Sequence, residues 1–185
     1  MNVKSTKLDP CCFWFTGLSG AGKTTLANHL FYQLQNNEIN TIILDGDCLR
    51  QGLNSDLGFS REDRRENNRR IAELAKFLVN KGFVVLVSAI SPYREDRSAA
   101  RDLFEGGAYI EVFVSTTLET CVQRDTKGLY AKALNQEIIG LTGWDDPYEP
   151  PTQAEFVLTT EYCTVYESAE PLINFISQYF LEKIA

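Results

Sequence analysis

The stretch Phe13–Leu26, FWFTGLSGAGKTTL, decides how the rest of the chain is read. The apolar run CCFWF (11–15) predicts a buried strand, and it stops at Gly17. Gly17 to Thr24 then fits G-x-x-x-x-G-K-[ST]. Glycines let backbone N–H groups turn inward to form a concave anion site, and a following helix aims its positive end at the same point. Lys23 adds a point charge for β- and γ-phosphates, and the Thr24 hydroxyl is a suitable oxygen ligand for Mg2+. Beyond the loop, Leu26, Ala27, Leu30, Phe31 and Leu34 fall on one helical face. A strand before and an amphipathic helix after separate this loop from a chance glycine turn. The pattern implies binding of a nucleoside triphosphate and leaves the phosphate acceptor open.

Outward from the loop, strands alternate with helices. TIIL (41–44), FVVLV (83–87), YIEVFV (109–114) and EFVL (155–158) read as further strands. A helix is expected from about Glu62 to Asn80, with Ile71, Leu74, Ala75, Leu78 and Val79 as its stripe and Lys81-Gly82 closing it. Ser98 to Phe104 and Leu118 to Arg124 suggest two more helices. Leu172, Ile173, Ile176, Tyr179 and Phe180 mark a closing amphipathic one. Residues 125–151, with glycines, prolines and mixed charge, read as a mobile excursion suited to a lid. The expected class is α/β: a P-loop NTPase-type three-layer fold, its sheet mostly parallel with helices on both faces. No repeat or linker divides residues 1–185, so one domain is expected.

Composition narrows the partners. With 44% hydrophobic and 23% charged residues the chain reads as soluble and globular. A net charge of −7 disfavours a broad polyanion-binding face, so no nucleic-acid partner is expected. The five cysteines form no C-x-x-C pair or zinc spacing and read as reduced, mostly buried thiols. Neither a signal peptide nor a membrane-spanning run is apparent, which gives the expectation of a cytoplasmic protein without a membrane partner.

The acceptor side is sought at the carboxyl ends of the strands, where open parallel sheets bind ligands. Asp45 and Asp47 end the second strand; they suit a proton acceptor or a metal ligand, or equally a D-G turn. Arg50, Arg64, Arg65, Arg69 and Arg70 are dense for an acidic chain, and guanidinium forks match phosphate and sulfate oxygens. Arg65 reads best as a solvated partner of Glu62, Asp63 or Glu66, while Arg69 and Arg70 fit either role. Phe59 is a stacking platform or a core anchor. Ser91, after the third strand, reaches a ligand or carries a modification, and Arg94 is placed to meet an anion. His29 lies in a helix explained by packing. A GTPase would normally need N-K-x-D, and Asn80-Lys81 is followed by Gly82-Phe83.

The blocks GLSGAGKTT, LDGD…R-GLN-DLGFS…DR-EN-RR, ISPYR-DR, RD-KGLYAKA and TG-DDPYE, in this order over about residues 12–160, resemble the adenylylsulfate (APS) kinase family. The resemblance implies transfer of the γ-phosphoryl of Mg·ATP to the 3′-hydroxyl of adenosine 5′-phosphosulfate, giving 3′-phosphoadenosine 5′-phosphosulfate and ADP. It implies that Gly17, Leu18, Ser19, Gly20, Ala21, Gly22, Lys23, Thr24 and Thr25 bind the ATP phosphates, with Thr24 and Asp45 at the metal. Asp47 would be the base or orienter at the acceptor hydroxyl. Arg50, Arg64 and Asn67 would hold phosphosulfate and ribose, and Phe59 would stack on the acceptor adenine beside Ile90 and Ser91. Ser91 matches a serine described in that family as a phosphoserine intermediate, although direct in-line transfer needs no covalent step. Lys127 would reach the acceptor from the lid, with Arg124 and Lys132 in the same closing element and Arg124 on the ATP side. A homodimer and a functional link to ATP sulfurylase are also implied.

The sequence departs from the family pattern at Cys48, Ala89 and Leu141, where asparagine, phenylalanine and phenylalanine are usual. With Leu141, one face of the acceptor base meets an aliphatic side chain, and Trp144 is the nearby aromatic candidate to compensate. The departures keep open a related kinase with a different nucleotide acceptor.

Overall fold

A computed structural model describes residues 8–181, apart from the side chains of 178–181. Twelve elements follow in chain order: β1 (Cys12–Thr16), α1 (Lys23–Asn36), β2 (Thr41–Asp45), α2 (Gly46–Arg50), α3 (Arg61–Asn80), β3 (Val84–Ser88), α4 (Arg94–Arg101), β4 (Tyr109–Val114), α5 (Leu118–Arg124), α6 (Leu129–Leu134), β5 (Phe156–Leu158) and α7 (Val165–Leu181). The five strands are parallel in the order β2-β3-β1-β4-β5.

Side-chain alternation along β1 explains the layers. Phe13 and Phe15 point into a core shared with Leu26 and Leu30 of α1 and Leu172 and Ile176 of α7. Cys12 and Trp14 point the other way, onto Ile71, Ala72 and Ala75 of α3 and Ala100 of α4. Strands buried on both faces need helices on both faces, and the near-continuous apolar runs read from sequence follow from that. The side chains of Tyr179 and Phe180, assigned to the closing helix, lie outside the described residues.

The loop between β1 and α1 depends on glycine. Gly22 precedes α1 at φ 102°, a left-handed value. A Cβ on Gly17 would stand 2.5 Å from the Val114 carbonyl oxygen.

Several elements differ from expectation. Asp45 does not simply end a turn: its Oδ1 accepts from the amides of Asp47 (3.0 Å) and Cys48 (3.2 Å), capping the short helix α2. α4 runs Arg94–Arg101 and not Ser98–Phe104. Its start is set at long range, where the Arg94 amide donates to Glu149 Oε2 (2.9 Å), and Glu95 and Asp96 suit the positive end of the helix.

The excursion 125–151 is organised and contains α6. Asp125 accepts from the amides of Tyr130 (3.1 Å) and Ala131 (2.9 Å) at its start. Tyr130 Oη donates to the Ser19 carbonyl (3.0 Å), and Gly143 packs against Leu18. Both contacts seat the lid on the phosphate loop.

Candidate active site

The carboxyl ends of the strands open into a cavity of about 1360 Å3. Small-molecule pockets usually run to roughly 300–1,000 Å3, so this one has room for two guests. Its walls are the phosphate loop, α2, the start of α3, the segment after β3, the lid and the segment after β5.

At one end Lys23 is buried, and its Nζ donates to the Leu18 carbonyl (2.7 Å) across the loop. Burial, with Lys127 nearby, pushes its pKa down to about 8 against the pull of Asp47, Cys121 and Asp45. An anion seated here would restore the charge. Thr24 Oγ1 donates to Asp45 Oδ2 (2.8 Å) and lies 3.0 Å from Ser88 Oγ. Carboxylate and hydroxyl oxygens at this spacing suit a hard cation such as Mg2+, which takes its remaining ligands from phosphate and water. Behind the loop, Arg124 donates to the hydroxyl (2.7 Å) and carbonyl (2.6 Å) of Thr160, and Thr160 Oγ1 donates to the Ala21 carbonyl (2.9 Å).

Asp47 stands between the two ends, ion-paired with Lys127 of the lid. Beyond it, the Arg50 guanidinium lies 4.7 Å from the Phe59 ring centroid and donates to the Gly58 carbonyl (2.8 Å). Burial and the neighbouring Arg64 hold Arg50 below the usual arginine range. Arg64 is buried; it donates to the carbonyls of Phe59 (2.9 Å) and Gly140 (2.6 Å) and lies 5.7 Å from the Phe59 centroid. Phe59 is 66% exposed, which answers the sequence alternative: it is a cavity wall rather than a core anchor. Asn67 lines the cavity and accepts from Asn54 Nδ2 (3.0 Å), and Ile90, Ala89, Cys48 and Leu141 line it too.

Other expectations are corrected. Ser91 Oγ is no exposed nucleophile: the residue is 2% exposed, and its hydroxyl accepts from Trp14 Nε1 (3.0 Å) and donates to Asn68 Oδ1 (3.2 Å). Its backbone is left-handed at φ 47°, so the residue acts as a corner of the wall. Trp144 does not stand in for the missing aromatic at Leu141. It meets Tyr130 edge-on at 6.4 Å and faces a separate depression with Leu18 and Tyr148. Arg65 pairs with Glu95 (2.7 Å) and Asp96 (3.2 Å) of α4, not with Glu62, Asp63 or Glu66. Arg69 bonds Glu66, and Arg70 bonds Glu66 and Asp56, so both belong to a surface network. Arg94 donates to the Pro150 carbonyl (2.7 Å). Neither Arg94 nor Lys132 lines the cavity. Cys11, Cys12 and Cys121 are buried as expected, while Cys48 is exposed and Cys163 half-buried.

Sequence reasoning missed Thr160, Thr142 and Asn68 in the cavity wall and Tyr130 as a tether of the lid. Thr160 lies two residues beyond the carboxyl end of the last strand, and that position was the one signal available for it.

A loop that neutralises a chain of anionic oxygens, facing a second basic compartment across a carboxylate, belongs to the P-loop phosphotransferases. A family model described as adenylylsulphate kinase matches residues 9–159. The adenylyl-sulfate kinase of Geotalea daltonii is 52% identical over 174 residues, 94% of this chain and 86% of that one. That of Marinobacter nauticus is 48% identical over 174 residues, 94% and 87% of the two chains. The Mycobacterium tuberculosis APS kinase, solved in complex with AMPPNP and APS, superposes with a TM-score of 0.87 at 44% identity, covering 91% of this chain and 98% of that one. The chain belongs to the adenylylsulphate kinase family, and its activity is that of an adenylylsulfate kinase.

Proposed function

We propose that the cavity binds ATP at the phosphate loop and adenosine 5′-phosphosulfate beyond Asp47, and that the γ-phosphoryl group passes to the acceptor 3′-hydroxyl. The observation that supports this most is the position of Asp47, between the loop that takes the donor and the arginines that take the acceptor.

Lys23 and the loop amides hold the β- and γ-phosphates and take up charge that moves toward the leaving ADP oxygen. Thr24 and Asp45 would hold Mg2+, which supplies charge neutralisation at the donor phosphates when bound. Asp47 orients the acceptor hydroxyl and accepts its proton as the new P–O bond forms and the bond to ADP breaks. Lys127 neutralises that carboxylate before the acceptor arrives and is then placed to meet the incoming anion. Arg50 and Arg64 hold the phosphosulfate, Asn67 the ribose, and Phe59 and Leu141 enclose the base. Arg124 and Thr160 brace the donor side. Ser91 shapes the wall. The lid excludes water, a competing phosphoryl acceptor.

We read the chain as a single domain that works as a homodimer in the cytoplasm, in sulfate assimilation alongside ATP sulfurylase. The family supports the place in sulfate assimilation, and no helix among the described residues is long and apolar enough to cross a membrane. No nucleic-acid partner is proposed for this acidic chain.

The test is coupled ADP release with a panel of acceptors: APS, AMP, other nucleotides and none. ADP that depends on APS is expected. Dependence on another nucleotide would move the acceptor, and no APS-dependent ADP would overturn the reading.

A further inference from the structure

Two residues that line the cavity each carry a buried polar atom with no hydrogen-bond partner among the described residues: Asn68 Nδ2 and Thr142 Oγ1. Asn68 is 3% exposed on α3, and Thr142 is 1% exposed in the lid, next to Leu141. A buried donor left unpaired destabilises a fold, so such groups call for an explanation.

The Asn68 amide is engaged at one end only. Its Oδ1 accepts from Ser91 Oγ (3.2 Å), and Ser91 Oγ in turn accepts from Trp14 Nε1 (3.0 Å), a ring fully buried in the core. In this arrangement Oδ1 is the acceptor and the two N–H groups of Nδ2 are donors without a mate. The left-handed backbone of Ser91 is part of the same arrangement. Thr142 is held by different means. The amide before it, Leu141 N, donates to Asp145 Oδ1 (2.6 Å), and Thr142 itself bridges to Asp146. Its hydroxyl remains an unused acceptor and donor.

Resting on the proposed function, we infer that Asn68 and Thr142 read the edge of the acceptor base. Asn68 Nδ2 donates to a ring nitrogen, and Thr142 Oγ1 accepts from the adjacent exocyclic amine. Adenine presents that pair, a ring-nitrogen acceptor beside an N6 amine donor. The apolar walls Phe59, Ile90 and Leu141 suit the flat faces of the base and give it no polar identity. The pair therefore supplies what the missing second aromatic does not: recognition along the edge rather than across the face. A site built to hydrogen-bond its substrate rejects an analogue that leaves its buried groups unpaired.

The experiment uses the full chain and its Asn68→Asp, Asn68→Leu and Thr142→Val variants. ADP release is measured against APS and against the analogue carrying unsubstituted purine, with KM for ATP and Tm alongside. Asn68→Asp keeps an oxygen for Ser91 and replaces the donor, so it stays informative if Asn68→Leu fails to fold. Expected is a rise of about tenfold or more in acceptor KM for the Asn68 variants, with KM for ATP within about twofold. The wild type should prefer APS over the purine analogue by about tenfold, and Thr142→Val should abolish that preference. An unchanged acceptor KM in Asn68→Asp overturns the inference. So does a base preference that survives in Thr142→Val, or parallel changes in both KM values with a lowered Tm. If the wild type releases no APS-dependent ADP, it is the proposed function that fails.

Discussion

Lys127 in the lid and Asp47 on α2, 80 residues apart in sequence, form an ion pair over the middle of the cavity. Both side chains are at least half exposed, so the pair contributes little to stability. Its meaning is positional: the lid brings a cation to the carboxylate that, on the proposed function, lies between donor and acceptor.

Removing that carboxylate should separate binding from turnover. Asp47→Ala is expected to lower kcat by about a hundredfold or more while KM for ATP changes little, because general-base catalysis is commonly worth that much. Steady-state kinetics with both substrates varied checks it, and unchanged kcat would remove Asp47 from the mechanism.

Lys23 gives a pH signature. Its folded pKa of about 8 lies below the free value of 10.5, so between those pH values the unfolded chain binds more protons than the folded one. Stability of the ligand-free protein from this group should therefore rise with pH across that window, by roughly 3 kcal/mol in all, and be flat below it. A bound triphosphate raises the Lys23 pKa again, so binding at pH 8 should take up about half a proton. Calorimetry of ATP binding in buffers of different ionisation enthalpy measures this; zero uptake contradicts the assignment.

Leu141 forms part of the cavity wall that the resemblance gives to an aromatic ring. Leu141→Phe is expected to lower the KM for APS several-fold, since ring stacking adds about 1 kcal/mol. An unaltered or higher KM shows that the added volume is not taken up as stacking.

Tyr130 tests the tether of the lid. Tyr130→Phe leaves the buried Ser19 carbonyl without its donor. A loss of about 1–3 kcal/mol is expected, with faster amide exchange through residues 125–151. Exchange confined to its wild-type rates would mean that other contacts hold the lid.

The parts legible in the sequence are those in which neighbours along the chain decide the structure. The glycine loop carries its own backbone requirements, and the apolar runs name the strands to within a residue at β1. The long helix α3 is announced by Ser60, whose Oγ accepts from the Asp63 amide (3.1 Å), and the reading began it one residue late. What escaped depends on distant partners. Glu149 starts α4 from 55 residues away, and Trp14 captures the Ser91 hydroxyl from 77. α2 is five residues long and held by one carboxylate, so periodicity had nothing to detect. Asn68 has the pattern of a core position on α3 with Ile71, Ala72 and Ala75, and its unpaired Nδ2 shows only once the chain after β3 brings Ser91 to its Oδ1.

The two seats of the lid on the phosphate loop, Tyr130 on Ser19 and Gly143 against Leu18, join roof and cradle into one mechanical piece. On the proposed function, the doorway for the second guest is hinged to the very backbone that grips the first. On that reading, a guest that shifts the phosphate loop also shifts the lid seated on it, and with it the wall offered to whatever enters next.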